Sequence, residues 1–190
     1  IVYSTLDMGS DSSILNTEAS VQIMERSVDT WRILLGPDGR IIGHWLFISL
    51  YDEEFEKLMR GELKEEDINY RNINYLDLPG YYKGYFAQID IVKEYRNARS
   101  LQLLIISFLQ QLEALAMEGI FITDWCVEAL SPEGASLSRS MGLSRIGVGR
   151  EGGYLYAGKA DLMFKTSIFK RVPNLIKLYK EEWEHNRGRE

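Results

Sequence analysis

The segment 89–104 has the residue pattern of an anion site, because an apolar strand there runs straight into a helix. The strand ends with Ile89, Asp90, Ile91 and Val92, and the helix follows after Asn97. The N-terminus of a helix presents backbone N–H groups without partners and the positive end of the helix dipole. Such groups suit a pyrophosphate. Every strand-to-helix junction has them, so a purely structural role stays open beside the anion site.

Other side chains with catalytic potential show weaker indications of a functional site than the segment 89–104 does. Cys126 lies in an apolar strand, which favours a buried, inert thiol over a nucleophile. His44 is either structural or part of a cleft wall, and His185 lies near the C-terminus. The sequence has no phosphate-loop, nucleophile-elbow or H-E-x-x-H motif. One cysteine cannot form an internal disulfide, and with two distant histidines it predicts no metal site.

The chain of 190 residues is acidic but otherwise of ordinary composition. It has 22 Lys and Arg against 28 Asp and Glu, a net charge of −6, and an isoelectric point of about 5.1. This balance predicts that nucleic acid is not a partner. Eight acidic and three basic residues fall within 52–67, which indicates either a solvated helical insertion or a wall that attracts a cationic acceptor. No run of about 18 apolar residues occurs, so we expect no membrane segment.

Hydrophobic periodicity and turn residues predict the elements that position the junction. Helices are predicted at 20–27, 52–67, 99–117, 132–140 and 173–186, and strands at 31–35, 40–50, 81–92, 120–127, 144–148 and 154–164. Gly119 and Gly142 are typical helix ends. The order predicts a mixed α/β sheet with helices on both faces.

Two stretches resemble one known family. Residues 91–96 (Ile-Val-Lys-Glu-Tyr-Arg), followed by an apolar helix, resemble the V-x-P-E-Y-R-G-x-G-x-G/A acyl-CoA signature of the GNAT superfamily of N-acyltransferases. Residues 135–143 (Ala-Ser-Leu-Ser-Arg-Ser-Met-Gly-Leu) resemble its A-x-x-L-Y-x-x-x-G-F segment. The order of elements fits over 14–165. The resemblance implies an α+β fold with a mixed, mostly antiparallel central sheet that is splayed between two strands, and acyl-CoA in the resulting cleft.

The same resemblance implies which residues contact the acyl-CoA. Backbone groups of Ile91 and Val92 would hold the pantetheine arm as an added strand. The N–H groups facing the pyrophosphate would be those of Arg96, Asn97, Ala98, Arg99, Ser100 and Leu101. Three of these residues, Asn97, Arg99 and Leu101, stand where the family has glycines. Ser138 stands at the position of the family's general-acid tyrosine, and Ser131 at an asparagine-like position before it.

An enzyme of this type needs a proton acceptor for the amine, and two carboxylates are candidates. Asp90 lies on the strand before the loop, and Glu128 lies at the end of the next strand. Each has a structural alternative: Asp90 facing solvent beside Gln88, or Glu128 capping the helix that begins at Pro132.

These observations predict an N-acyltransferase that moves an acetyl or other acyl group from acyl-CoA to an amine by direct transfer. The alternative is a GNAT-fold domain without transfer activity that serves as a CoA-binding or protein-interaction module. We expect residues 1–165 to form the domain, with 52–67 inserted and 166–190 as a helical extension. We also expect a cytoplasmic protein. Its amphipathic C-terminal helix packs either on its own core or on a partner subunit, which would make a homodimer.

Overall fold

The computed structural model describes residues 23–64 and 67–187, which form one six-stranded sheet with helices on both faces. The strands are β1 (Trp31–Leu35), β2 (Ile41–Leu50), β3 (Gly80–Ile91), β4 (Ile120–Ala129), β5 (Ser144–Val148) and β6 (Tyr154–Lys159). The helices are α1 (described over 23–26), α2 (Asp52–Met59), α3 (Ala98–Met117), α4 (Pro132–Ser140), α5 (Ala160–Met163) and α6 (Pro173–Arg187).

The strand order is β1-β2-β3-β4-β6-β5, and each neighbouring pair is antiparallel except β3 and β4. The long α3 joins these two parallel strands, as a crossover between parallel strands requires. The predicted mixed, mostly antiparallel sheet is confirmed. The parallel pair at its centre brings the carboxyl ends of β3 and β4 to the same edge.

The two faces of the sheet are covered by different helices. On one face, an aromatic cluster of Trp45, Phe47 and Trp125 surrounds Phe108 of α3, with ring centroids 5.4–6.2 Å from that ring. On the other face, Phe55 and Leu58 of α2 pack in a second cluster with Tyr85, Cys126 and Leu155. We call these the α3 face and the α2 face. Side chains alternate between the faces along each strand, so a residue's position assigns its face.

Helix α3 is long and apolar enough, by length and composition, to cross a membrane. Half of its apolar window is buried inside this structure, where Leu104, Phe108, Leu109 and Leu112 belong to the α3-face core. A core helix of a globular domain passes the same test. The sequence-based expectation overlooked this helix because polar residues interrupt its apolar run.

Two predicted elements differ from the structure. The strand predicted at 154–164 ends at Lys159, and the chain turns into α5, whose Ala160 and Met163 are buried in the α3-face core. Their apolar character therefore reflects burial in a helix rather than a longer strand. The helix predicted at 52–67 ends at Met59, because Gly61 adopts a left-handed backbone with φ of +67°. Residues 20–22, 65 and 66 lie outside the described residues.

The buried side chain of Tyr179 hydrogen-bonds helix α6 to β4 in the middle of the sheet. The hydroxyl of buried Tyr179 accepts from the N–H of Ile122 at 2.8 Å and donates to the carbonyl of Ile122 at 3.2 Å. Pairing between β4 and β6 begins only at Asp124 and Lys159, so the backbone of Ile122 has no β6 partner. Tyr179 supplies the hydrogen bonds that a longer β6 would have made.

Candidate active site

A cleft opens in the sheet where β3 and β4 separate. Their pairing runs from Gly80 and Ile120 to Tyr85 and Cys126, although both strands continue beyond that point. Next to the separation, β3 carries a bulge that leaves Ala87 outside the register with β2. A bulge bends and twists its strand, so β3 diverges from β4. The predicted splay is confirmed, and it encloses a cleft of about 260 Å³.

The cleft is mostly apolar, with its charged side chains at one end. Its apolar walls come from both strands, α4 and α5 and include Phe86, Ile89, Trp125, Leu130, Leu137, Met141 and Met163. Among the lining residues of the described structure, Glu128 and Glu151 are the only charged ones. Ser131 and Ser138 of the α4 segment also line the cleft. The site therefore combines apolar space with a negative charge at its margin.

Glu128 is held by the turn that joins β5 to β6. The backbone N–H groups of Glu151 and Gly153 donate to its Oε1 at 3.1 and 2.8 Å. Within the described residues no hydrogen bond engages Oε2. A Cβ atom on Gly149 would lie 2.0 Å from the Glu128 carboxylate, so only glycine leaves room for it there. The Glu128 carboxylate therefore caps the β5–β6 turn and not the helix that begins at Pro132.

The environment of Glu128 favours proton uptake. Burial raises the pKa of its carboxyl, and the nearby charge of Glu151 acts in the same direction. The two backbone donors lower the pKa and offset only part of that rise. A carboxylate with a raised pKa is a stronger base than one in water.

Asp90 lies in a different place. It is not among the residues that line the cleft, and its Oδ1 lies 3.3 Å from a terminal guanidinium nitrogen of Arg96. Its register partner on β2 is His44. The structure therefore brings Glu128, Ser131 and Ser138 together around the cleft and leaves Asp90 in an ion pair outside it.

Both serines near the cleft already have hydrogen-bonding roles in α4. The Ser131 side chain accepts from the N–H of Gly134 at 3.0 Å and caps the helix. The Ser138 hydroxyl is buried and donates to the carbonyl of Gly134 at 2.8 Å. With its proton so engaged, Ser138 has lone pairs rather than a proton to offer the cleft.

The predicted pantetheine groups are engaged by neighbouring residues. The N–H of Val92 donates to the carbonyl of Ile42 on β2 at 2.9 Å. The carbonyl of Ile91 accepts from Nε of Arg96 at 2.7 Å. A pantetheine arm bound along β3 therefore has to use the part of the strand edge closer to the point where β3 and β4 separate. Otherwise it competes with Arg96 for the carbonyl of Ile91.

The predicted pyrophosphate loop forms the start of α3, and Asn97 caps it. The Asn97 side chain accepts from the N–H groups of Arg99 and Ser100, both at 3.0 Å. The side chains of Arg96 and Arg99 are exposed, and Ala98 is exposed beside them. Leu101 instead packs against the α3-face core. The loop thus offers cationic side chains, while its own asparagine occupies two of its N–H groups.

Cys126 and His44 are the remaining side chains with catalytic potential that the sequence analysis considered. Cys126 is fully buried, and burial raises the pKa of its thiol to about 12, as expected for an inert cysteine. His44 is buried on the α2 face, and burial lowers the pKa of its imidazole although Gln88 and Asp90 oppose that effect. Neither ring nitrogen of His44 has a hydrogen-bond partner among the described residues.

Sequence reasoning missed the turn residues that seat Glu128. The Gly149 to Gly153 segment indicates only a turn between strands, and nothing local shows that it contacts a carboxylate about 20 residues earlier. The antiparallel pairing of Glu128 with Leu155 creates that proximity. The described residues hold no cluster of three or more potential metal ligands.

Comparisons with known proteins establish the fold. No protein-family model and no curated protein matches the sequence. The structure of a bacterial toxin aligns with a TM-score of 0.50 at 14% identity, over 77% of this chain and 76% of that one. The AtaT–AtaR complex bound to DNA aligns with a TM-score of 0.50 at 12% identity, over 83% and 85%. A structure of AtaTR bound with AcCoA aligns with a TM-score of 0.43 at 12% identity, over 70% and 68%.

At identities of 12–14%, the TM-scores of 0.50 show a likeness of fold alone. Both alignments with a TM-score of 0.50 cover most of this chain and concern the arrangement of its sheet and helices. Together with the splayed strands β3 and β4, this likeness shows that the chain has the GNAT fold that its sequence resembles.

Proposed function

We propose that this protein is an acyltransferase that moves an acyl group from acyl-CoA directly to an amine. The observation that carries the proposal is the position of Glu128 at the margin of the cleft between β3 and β4. One oxygen is fixed by two N–H groups and the other is unengaged within the described residues. A fixed carboxylate with one unengaged oxygen beside an apolar cleft is suited to general base catalysis.

The donor is acyl-CoA, with acetyl-CoA as the simplest case. At Phe86 and Ala87, no strand of the described residues pairs with the edge of β3 that faces the cleft, so this backbone suits an extended pantetheine arm. Arg96 and Arg99 lie near the N-terminus of α3, where the helix dipole adds to their positive charge. These groups fit a pantetheine arm in the cleft and a pyrophosphate at the loop.

The reaction requires one proton acceptor and one leaving group. Glu128 takes a proton from the acceptor ammonium, and the free amine then attacks the thioester carbonyl carbon. The carbon–sulfur bond breaks, which releases the amide product and the CoA thiolate. A thiol has a pKa of about 8.5, so the thiolate leaves readily. The attacking nitrogen releases its second proton as the amide forms, and the thiolate takes up that proton through water. The chemistry therefore proceeds with a serine, Ser138, at the position of the family's tyrosine.

A second candidate function rests on the cap of α3. Because Asn97 occupies the N–H groups of Arg99 and Ser100, a pyrophosphate has to displace its side chain. A GNAT-fold domain that binds CoA weakly, or binds another protein instead, is the alternative that this contact favours.

Calorimetric titration with acetyl-CoA distinguishes the two functions. We expect binding by the wild-type protein and weaker binding by Arg96→Ala, because that variant loses a cation beside the proposed pyrophosphate site. Exposed Arg171, which follows α5, provides the control variant Arg171→Ala with unchanged affinity. Absence of heat and of thermal stabilisation at millimolar acetyl-CoA would refute the acyltransferase.

A further inference from the structure

The two faces of the sheet give the cleft two different walls. The side chains of Cys126 and Glu128 point to the same face because they are two residues apart on β4, and Cys126 belongs to the α2-face cluster. Trp125 and Ala129 point the other way and belong to the α3-face core. The carboxylate of Glu128 therefore lies on the α2 side of the cleft, and Trp125 and Ala129 form part of its α3 side.

The α3 side of the cleft is a pocket within the apolar core. Six of its lining side chains belong to the α3-face core, and each is at most 8% exposed. These side chains are Phe86, Trp125, Ala129, Met141, Leu143 and Met163. We call the space that they line the α3-face pocket. Because Met141 follows α4 and Met163 ends α5, both helices enclose this pocket together with β3 and β4.

The α3-face pocket offers few hydrogen-bonding groups. Among the described residues that line the cleft, Ser138 is the only buried polar one, and its hydroxyl already donates to the carbonyl of Gly134. Water in such a space finds few polar partners, whereas apolar groups bind well. Amide groups lose hydrogen bonds when they enter it. The pocket therefore suits a hydrocarbon chain better than the amide-bearing part of a pantetheine arm.

The course of the arm brings the acyl group to the α3-face pocket. From the start of α3, an arm along β3 runs toward Tyr85 and Cys126, where the two strands join. The acyl group is attached at the far end of the arm and therefore lies deepest in the cleft. Phe86 and Trp125, the chain neighbours of these two residues, point to the α3 side there. An amine beside Glu128 approaches from the α2 side, so acyl chain and acceptor lie on opposite sides of the thioester.

The size of the cleft limits the length of the acyl chain. An apolar cavity of about 150 Å³ holds benzene, with its six carbon atoms. On that scale the cleft of about 260 Å³ holds about ten non-hydrogen atoms, of which the thioester and the two adjoining carbons of the arm take about five. About five carbons of an acyl chain then fit beyond the carbonyl group, whereas acetyl places a single methyl group there.

From this arrangement we infer that the preferred donor is the CoA thioester of a short aliphatic acid, about butanoyl to hexanoyl in length, and not acetyl-CoA. This inference rests on the proposed acyltransferase function. The chain lies in the α3-face pocket, where Met141 and Met163 adapt to its shape because methionine side chains are flexible. In the transfer, the acyl carbon exchanges its bond to sulfur for a bond to the amine nitrogen. One ammonium proton goes to Glu128 and the second goes to the thiolate.

Calorimetric titration of the wild-type protein with a series of donors tests the inference and needs no acceptor. The series is free CoA, acetyl-CoA, butanoyl-CoA, hexanoyl-CoA and decanoyl-CoA. Each buried methylene tightens binding by up to roughly fourfold, so we expect hexanoyl-CoA to bind at least about tenfold more tightly than acetyl-CoA. Decanoyl-CoA should bind no more tightly than hexanoyl-CoA, because the pocket has no room for the longer chain.

A matched pair of leucine variants tests whether the acyl chain lies in the α3-face pocket. Leu137 of α4 lines the cleft and is half-buried against the α3-face core. Leu137→Trp places a larger side chain there and should lower the ratio of hexanoyl-CoA to acetyl-CoA affinity to near one. Leu178 of α6 is half-buried against the same core but does not line the cleft, so Leu178→Trp should keep the wild-type ratio. Thermal melts establish that each variant is folded, and the wild-type series decides the inference by itself if Leu137→Trp is not.

The outcomes separate the inference from the proposed function. Equal affinities for acetyl-CoA and hexanoyl-CoA, or a further gain with decanoyl-CoA, would overturn the inference and keep the acyltransferase. A wild-type affinity ratio in folded Leu137→Trp would also overturn the inference. Failure of free CoA and of every thioester to bind would remove the proposed function itself.

Discussion

At Glu128 the two oxygen atoms of one carboxylate have different surroundings. Oε1 accepts two backbone N–H groups from the β5–β6 turn, and Oε2 has no hydrogen bond within the described residues. The contact with Oε1 fixes the orientation of the carboxylate beside the cleft. Asp90, the other candidate base, is paired with Arg96 instead. Glu128 is therefore the candidate that the local geometry supports.

Glu128→Gln should separate catalysis from stability. The amide retains an oxygen for the two backbone donors but cannot accept the ammonium proton, so we expect kcat/KM to fall by roughly 10²–10⁴-fold. The rate of CoA thiol release from acetyl-CoA, measured with an amine that the wild type acetylates, checks this value. Wild-type activity should rise with pH through the raised pKa of Glu128, and a flat profile in that region would contradict its role as base.

The same variant should be more stable than the wild type at neutral pH. Burial raises the pKa of Glu128 above its ordinary value of 4.5. Its contribution to stability is therefore fully present below about pH 4.5 and is lost as the pH rises through the folded-state pKa. Thermal melts of both proteins should coincide near pH 4 and diverge at higher pH in favour of Glu128→Gln. Parallel melting curves at every pH would show that ionisation of Glu128 costs the fold nothing.

At the scale of elements, the β5–β6 turn positions a residue of another strand. Gly149→Ala should expel the Glu128 carboxylate, since the new Cβ would lie 2.0 Å from it. A displacement of about 1 Å at a catalytic group costs on the order of 10²-fold in rate, while acetyl-CoA affinity should stay constant. A Cβ atom on Gly147, within β5, would have no neighbouring atom within 4 Å. Gly147→Ala should therefore keep wild-type activity, and equal rates for both variants would contradict the positioning role.

The start of α3 offers a second test at this scale. Asn97→Gly releases the N–H groups of Arg99 and Ser100 and costs only a few tenths of a kcal/mol of capping energy. If the pyrophosphate binds these groups, calorimetry should show several-fold tighter acetyl-CoA binding. Asn97→Ser retains a capping oxygen and should bind as the wild type does. Unchanged affinity in both variants would place the pyrophosphate elsewhere.

For the whole molecule, α6 is an integral part of the core that packs against the sheet. Tyr179 completes the hydrogen bonding of Ile122 where β6 does not reach, and burial raises the pKa of its hydroxyl, which stays protonated. The same side chain packs edge-on against Phe121 and Phe164, with ring centroids 5.0 and 4.9 Å away. The C-terminal segment therefore belongs to the core of the domain.

Tyr179→Phe should lower the free energy of unfolding by about 1–3 kcal/mol, because it leaves buried backbone groups of Ile122 without a partner. Denaturant unfolding measures this change, and its slope should stay constant because the core packing is retained. Exposed Tyr51 supplies the control Tyr51→Phe, for which no loss is expected. A loss equal to that of the control would show that the hydrogen bonds to Ile122 contribute little.

Local sequence determined the elements and the fold of this protein. Alternating apolar residues, turn glycines and the apolar stripe of 99–117 placed the hairpin, the strands and α3, because these signals act between near neighbours. The separation of β3 and β4 was also predicted, although only through the resemblance of residues 91–96 and 135–143 to a known family.

Only the tertiary structure decided which carboxylate faces the cleft and what surrounds it. Asp90 and Glu128 occupy similar positions near the ends of neighbouring strands, and the sequence did not distinguish them. Pairing of β4 with β6 brings the β5–β6 turn to Glu128, whereas the return of the loop toward β3 brings Arg96 to Asp90. Contacts between residues distant in sequence depend on which strands pair, and the pairing of β4 with β6 does not follow from interactions between near neighbours.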